Sequence, residues 1–271
     1  MLIKHIELDK AKPVVLIDGS YYVFYRYFAT LRWFTFQKKD IDVESIIENK
    51  EYIDSFIKHM NSDIKKICKK WKTNINNIIF CTDCQRCKIW RNDLYKEYKG
   101  TRMQNANFNS RIFDTFNNYV YKHSLKKVFF ERLEADDVIY LIQDKLKYSI
   151  SSSIIIITND NDYLQLIDKN IVIMNMQFKD ISLRGNKNPK INLNYKALYG
   201  DKSDNILKIT SSLTKDKALT LAELNDTDLN KWLIENNLLD KFMFNMHLIS
   251  FEHIPMEYVK KFYENIIISY T

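Results

Sequence analysis

Seven carboxylates fall in short groups along the chain: Asp18, then Asp83, then Glu134 with Asp136 and Asp137, then Asp160 with Asp162. Each group directly follows an apolar run. Brought together they would repel strongly if all were ionised, so either some keep protons or cations sit among them. Many carboxylates around an open crevice suit two-metal hydrolysis of phosphodiesters. Other chemistries fit less well. A calcium loop starting at Asp160 would want glycine and glutamate where Gln165 and Ile171 stand. An aspartyl phosphotransferase would want a second aspartate close behind Asp18, where Gly19 and Ser20 follow. A glycosidase needs two carboxylates, not a cluster.

The apolar runs are the elements that must position these acids. Four consecutive isoleucines, Ile154 to Ile157, read as a strand buried on both faces, as in a parallel sheet. Further strands are expected at 13–17, 77–81, 127–131 and 170–174. Between them lie an aromatic helix after Gly19, read as core, and a helix over 51–72. A third helix has Val138, Ile139, Leu141 and Ile142 on one face and acids in its first turn, which suits the macrodipole. Residues 37–50 are polar and read as a loop. The predicted class is α/β with a parallel sheet, in which acids following four strands share one crevice at the carboxyl ends.

The 271 residues carry a net charge of +7. With the acids gathered at one site, the rest of the surface is strongly basic, which suits a polyanion. Only Gly19, Gly100, Gly185 and Gly200 are present, so no G-x-G-x-x-G or Walker loop can be written. No apolar run approaches the ~20 residues of a membrane span, and the amino terminus lacks a signal-peptide core. An intracellular protein without membrane contact is expected. Cys81, Cys84 and Cys87 have metal-like spacing, but no fourth ligand is evident, and reduced thiols are expected. Residues 88–125 interleave basic and aromatic side chains, break at Gly100 and at 104–109, then resume as a helix. That mixture suits single-stranded nucleic acid. From about residue 195 the chain is helical in character, which divides it into 1–194 and 195–271.

Five segments occur together in a familiar order: LIDGS at 16–20, WRNDLYKEYKGTR at 90–102, LEADD at 133–137, TNDNDYLQL at 158–166 and GDKSDNI at 200–206. Over residues 13 to 220 the chain resembles the structure-specific 5′ nucleases: flap endonucleases, phage 5′-3′ exonucleases and the 5′ nuclease domain of bacterial DNA polymerase I. The resemblance implies a PIN-like (FEN-type) domain with a helical arch at about 88–125. It implies two divalent ions, Mg²⁺ with Mn²⁺ able to substitute, and DNA with a 5′ flap or free 5′ end as substrate. Asp18, Asp83, Glu134 and Asp136 would surround one ion, with Asp137 close by. Asp160, Asp162, Asp201 and Asp204 would serve the other. Lys99 and Arg102 match basic positions at the foot of the arch, Tyr98 could stack on a base, and Arg91 matches a further phosphate-binding position.

Two departures stand out. The family follows GDxSDNI with a glycine-rich helix-hairpin-helix turn, whereas LKITSSLTKDKAL here has no glycine. Lys208, Lys215 and Lys217 are therefore expected to hold duplex by side-chain charge, with no ordered potassium ion. The last residues, KKFYENIIISYT, lack a sliding-clamp motif, and a monomer is expected. The rivals are a PIN-type ribonuclease, which usually lacks GDxSDNI and the arch, and a catalytically inactive DNA-binding scaffold.

Overall fold

The computed structural model describes residues 4–37, 42–103, 105–150 and 152–271. A short strand, β1 (Lys4–Leu8), precedes β2 (Val14–Asp18), whose four apolar residues are buried. Asp18 ends the strand by capping the next helix: its carboxylate accepts the Tyr21 N–H. That helix, α1 (Gly19–Phe36), packs its aromatic face on α2 (Lys50–Trp71), with Tyr27 and Phe34 both against the Tyr52 ring. β3 (Ile78–Thr82), a four-residue helix α3 (Arg91–Leu94) and α4 (Ile112–Lys122) follow. Then come β4 (Lys126–Phe129), α5 (Ala135–Leu146), β5 (Ile154–Ile157) and β6 (Ile171–Met174). The expected strands are each present to within two residues.

The five strands form one parallel sheet in the order β4-β3-β2-β5-β6. Winding proceeds outward from β2 to β4, then restarts on the other side at β5. The carboxyl ends of β2 and β5 therefore flank a topological switch point, where α/β sheets open a crevice. Strand alternation explains the isoleucine run: Ile154 and Ile156 face the core under α5, while Ile155 and Ile157 face the core under α1, α2 and α4.

Beyond the sheet, α6 (Pro189–Tyr199), α7 (Lys215–Ala222), α8 (Asp226–Glu235) and α9 (Leu239–Ile249) share a third core around Leu198, Leu221, Leu233 and Leu248. The chain then returns. α10 (Met256–Asn265) lays Phe262 against Phe130, and β7 (Ile266–Tyr270) pairs in parallel with β1.

Two expectations change here. The boundary at residue 194 falls inside α6, and residues from Phe251 onward rejoin the core beneath α5, because Phe251, Phe262 and Ile266 are buried there. The segment 88–125 is mostly turns: α3 is one turn long, and α4 is held on the core by Ile112, Phe116 and Tyr119. Gln104 in that segment and residues 38–41 of the expected loop lie outside the described residues. Among the described residues, no helix is long and apolar enough to cross a membrane.

Candidate metal centre and nucleic-acid cleft

At the switch point lies a cleft of about 420 Å³ lined by Asp18, Asp83, Glu134, Asp136 and Asp160, with Lys99 and Arg102 at its side. Each acid has a local reason to be there. Asp18 is the last residue of β2 and the cap of α1; its second oxygen lies 3.3 Å from both the Thr158 and Tyr163 hydroxyls, which donate to it. Asp83 follows β3, accepts the Ala135 N–H at 2.8 Å and a hydrogen bond from Ser20 Oγ. Glu134 caps α5, and Asp136 sits in that helix's first turn.

Burial and mutual repulsion set the protonation of this group. Burial, then Asp83 and Asp160, push the Asp18 carboxyl up to about 7. Asp83 and Asp136 are raised for the same reason, burial first and neighbouring acids second. Glu134 goes the other way. Burial opposes its ionisation, but Lys99 and Arg91 outweigh it and hold the carboxyl below the usual range. A donor set of only carboxylate oxygens, several of them held toward the neutral form by like charge, suits hard divalent cations.

A second group lies beside the first. Asp162, Asp201 and Asp204 offer oxygens within 4.8 Å of one another. Asp201 and Asp204 are placed by a tight loop in which the Asp201 and Ile206 N–H groups donate to each other's carbonyls at 2.8 Å. Gly200 begins it at φ 76°, and a Cβ there would stand 2.4 Å from the Ile206 carbonyl oxygen, so only glycine fits. Asp160 lines the cleft with the first group, where its charge acts on Asp18, while its carboxylate accepts the Asp162 N–H at 3.0 Å.

The basic residues occupy three different settings. Lys99 Nζ contacts Glu134 and lies 3.9 Å from Asp204; Arg102 donates to Asp204 at 2.6 Å. Both are thus internal counter-ions on the cleft wall. Arg91 is elsewhere. It is 2% exposed, forks onto both Asp137 oxygens at 2.8 Å, reaches Glu134 at 3.0 Å and donates through Nε to the Leu248 carbonyl. The expectation that Arg91 binds phosphate is therefore corrected: it is a buried clamp joining α3, α5 and α9. Asp137 is fully buried, also accepts from Trp90 Nε1 and the Glu134 N–H, and does not line the cleft, although one of its oxygens lies within 4.8 Å of oxygens of Glu134 and Asp136. Tyr98 is likewise buried, its hydroxyl within 3.1 Å of both Glu134 and Asp204, so its ring is not offered to a base.

Lys208 is spoken for as well: it lies over the Tyr199 ring at 4.3 Å and donates to the Leu213 carbonyl. Lys215 and Lys217 are exposed in the first turn of α7. Three residues escaped sequence reasoning. Lys196 contacts Asp162 and, at 2.7 Å, Asp201, acting as the counter-ion of the second group. Its sequence position, four before Gly200, reads only as a helix-end lysine. Tyr21 and Phe24 line the cleft, Phe24 38% exposed and stacked on Phe108 at 4.1 Å. Their positions about one and two helical turns beyond Asp18 are the signal that could have found them.

Residues 13–193 match the family described as 5′-3′ exonuclease, N-terminal resolvase-like domain. The chain belongs to this family. It is 30% identical over 204 residues to a 5′-3′ exonuclease of Buchnera aphidicola subsp. Schizaphis graminum, covering 73% of this chain and 65% of that protein. It is also 30% identical over 205 residues to a 5′-3′ exonuclease of Mycoplasmopsis pulmonis, covering 73% and 62%. The chain thus spans under two thirds of the length of these curated relatives. Its fold resembles a bacteriophage T5 flap endonuclease variant solved as a complex with DNA and metal ions: TM-score 0.68, 15% identity, 93% of this chain and 96% of that one. A second T5 structure, crystallised with metal ions, aligns with TM-score 0.64 at 15% identity over 93% and 97%. The PIN-like α/β fold read from the family's motifs is the fold observed.

The raised carboxyls make metal-free stability depend on pH in a stated direction. Asp18 binds its proton more tightly folded than unfolded, so its contribution is complete below about 4 and lost as pH rises through about 7. Asp83 and Asp136 act in the same direction. The lowered carboxyls, Glu134 and Asp201, add stability lost only as pH falls below the usual carboxylate range, so they add no slope above it. His59 and His253, held below the usual imidazole range by burial, oppose this up to about pH 6.5. In EDTA the melting temperature should therefore fall between about pH 6.5 and pH 8, and added Mg²⁺ should raise it most at the alkaline end. A melting temperature that rises over that range in EDTA would contradict this reading of the cleft.

Proposed function

We propose that this chain is a metal-dependent 5′ nuclease that hydrolyses DNA phosphodiesters at free 5′ ends and 5′ flaps. The observation that carries the proposal is one cleft in which acids from the ends of β2, β3 and β5 and the start of α5 meet Lys99 and Arg102. Asp18, Asp83, Glu134, Asp136 and Asp160 would hold one divalent ion, and Asp162, Asp201 and Asp204 the other. When bound, two Mg²⁺ or Mn²⁺ ions supply an activated water and neutralise charge developing on the phosphoryl oxygens. Glu134 stays ionised because Lys99 and Arg91 flank it. Lys99 and Arg102, fixed on the wall by Glu134 and Asp204, present positive charge where the scissile phosphate would lie. Tyr21 and Phe24 offer aromatic surface to the adjoining base.

Incubation of 5′-flap DNA, single-stranded RNA and blunt duplex with Mg²⁺ tests the reading. Cleavage of the DNA substrates from their 5′ ends, with the flap preferred and the RNA spared, is expected. Preferential RNA cleavage would favour a ribonuclease of the same fold, and no cleavage a binding scaffold.

The duplex arm would rest on α7. Lys215 and Lys217 stand at the positive end of their helix dipole, an unfavourable place for lysine unless an anion is bound there. Replacing both with alanine should flatten the salt dependence of duplex binding by roughly one to two units, at about 0.9 per phosphate contact. An unchanged slope would show that these lysines are merely solvated.

A further inference from the structure

The opposite edge of the sheet carries an inverted chemistry. Because all five strands are parallel, every helix-to-strand turn lies at the amino edge, and these turns are rich in lysine. The turn into β3 holds Lys69, Lys70 and Lys72, all exposed; that into β4 follows exposed Lys122, and that into β6 holds exposed Lys169. Among the described residues, none of these five enters a salt bridge; the nearby acids Asp9 and Asp144 are matched by Lys12 at 3.6 Å and Lys147 at 2.5 Å, and Asp168 stands exposed beside Lys169. Two of the most exposed aromatic rings among the described residues lie at the same edge, one on each face of the sheet: Tyr121, 89% exposed, beside Lys122, and Tyr148, 85% exposed, under Lys147 at 4.9 Å.

Helix dipoles explain only part of this. Lys69, Lys70 and Lys122 sit in last turns, where cations are favoured. Lys72 is the C-cap of α2 and stands at the same end. Dipoles do not account for Lys169, which lies outside helices, nor for two tyrosines held out in solvent. Neighbouring strands are ~4.8 Å apart, so the five amino ends span roughly 19 Å, room for several nucleotides of extended strand. Lys70 lies over the Trp71 and Phe178 rings at 5.8 and 6.0 Å, while the other four make no ion pair or ring contact among the described residues. Exposed rings interleaved with lysines free of salt bridges are the features that bind single strands, the rings stacking on bases and the cations following phosphates.

We propose that the amino edge of the sheet is a second binding surface for single-stranded nucleic acid, about one strand length, or ~16 Å, from the acidic cleft. It is independent of what the cleft does. In metal-free protein no ion bridges phosphate to the cleft acids, so binding measured in EDTA reports mainly on basic surfaces.

The test uses fluorescence anisotropy in EDTA with oligothymidylate and oligouridylate of about 30 nucleotides, and a blunt duplex for comparison. K69A/K70A/K72A should weaken binding of the single strands at least about tenfold and flatten the salt slope by about two, at ~0.7 per phosphate. Y121A/Y148A should weaken single-strand binding about fivefold or more while leaving duplex binding unchanged. The relative affinity of the deoxy and ribo strands identifies which the surface prefers. Both variants change exposed residues, and unaltered circular dichroism and melting would confirm their folding. Cleavage of a short flap in Mg²⁺ should be unchanged in both, which separates this surface from the nuclease reading. Single-strand affinity within twofold of wild type in both variants would overturn the proposal. So would equal losses for duplex and single strand in both.

Discussion

Replacing Asp136 with asparagine is expected to lower flap cleavage by on the order of 10³-fold, the scale of losing one preorganised electrostatic contact in a site. The metal-free protein should melt no lower than wild type. Asp136 lines the cleft, and its carboxyl is pushed up by burial and then by Glu134 and Asp137, so the native fold already resists its charge. Asparagine removes that repulsion while keeping an oxygen to accept the Asp137 N–H, now held at 2.8 Å. The rise in melting temperature on adding Mg²⁺ should shrink in the same variant. Single-turnover cleavage and thermal melting, with and without Mg²⁺, check both halves. Near wild-type cleavage would remove Asp136 from the centre.

The second large effect falls on stability. Arg91→Ala should cost about 3–5 kcal/mol, the usual consequence of stripping one partner from a buried ion pair. Asp137 and Glu134 would be left charged and buried, and the Leu248 carbonyl would lose its donor. Lysine should rescue little, because a single ammonium cannot fork onto Asp137 and reach Leu248 as well. Arg91→Met combined with Asp137→Leu should recover much of the loss, since the buried charge goes with its partner. Urea midpoints measure all three variants. A loss under 1 kcal/mol for Arg91→Ala would mean that the clamp is dispensable.

The sheet was legible because its strands are short apolar runs stopped by acids. Ile154 to Ile157 face two cores at once, and no other arrangement of four isoleucines suits so short a strand. The cleft was legible for the same reason, since parallel strands bring their carboxyl ends to one side. Harder to read was which acids face it. Asp137 is one residue from Asp136, but a helical step of 100° turns it inward to Arg91. The spacing of Glu134 and Asp137 matches a reciprocal helix cap, and that signal could have set Asp137 apart.

Basic residues were less legible still. Lys208, Lys215 and Lys217 are alike in sequence, yet only Lys208 has an aromatic ring and a carbonyl within reach, supplied by the end of α6 and the loop before α7. Lys196 depends on the tight loop after Gly200 to bring Asp201 round to it. The pairing of β1 with β7 joins the two ends of the described chain, and neither KHIEL nor IIISY carries a local sign of its partner. Propensity reports on neighbours in sequence, and these contacts are made by neighbours in space.

Crystals grown with Mn²⁺, with data collected at the manganese edge, would test the central claim most directly. Two anomalous peaks are predicted. One should lie within coordination distance of Asp18, Asp83, Glu134 or Asp136, and the other among Asp162, Asp201 and Asp204, with Lys196 displaced from its present contacts. No peak in the cleft, together with cleavage that persists in EDTA, would contradict the account.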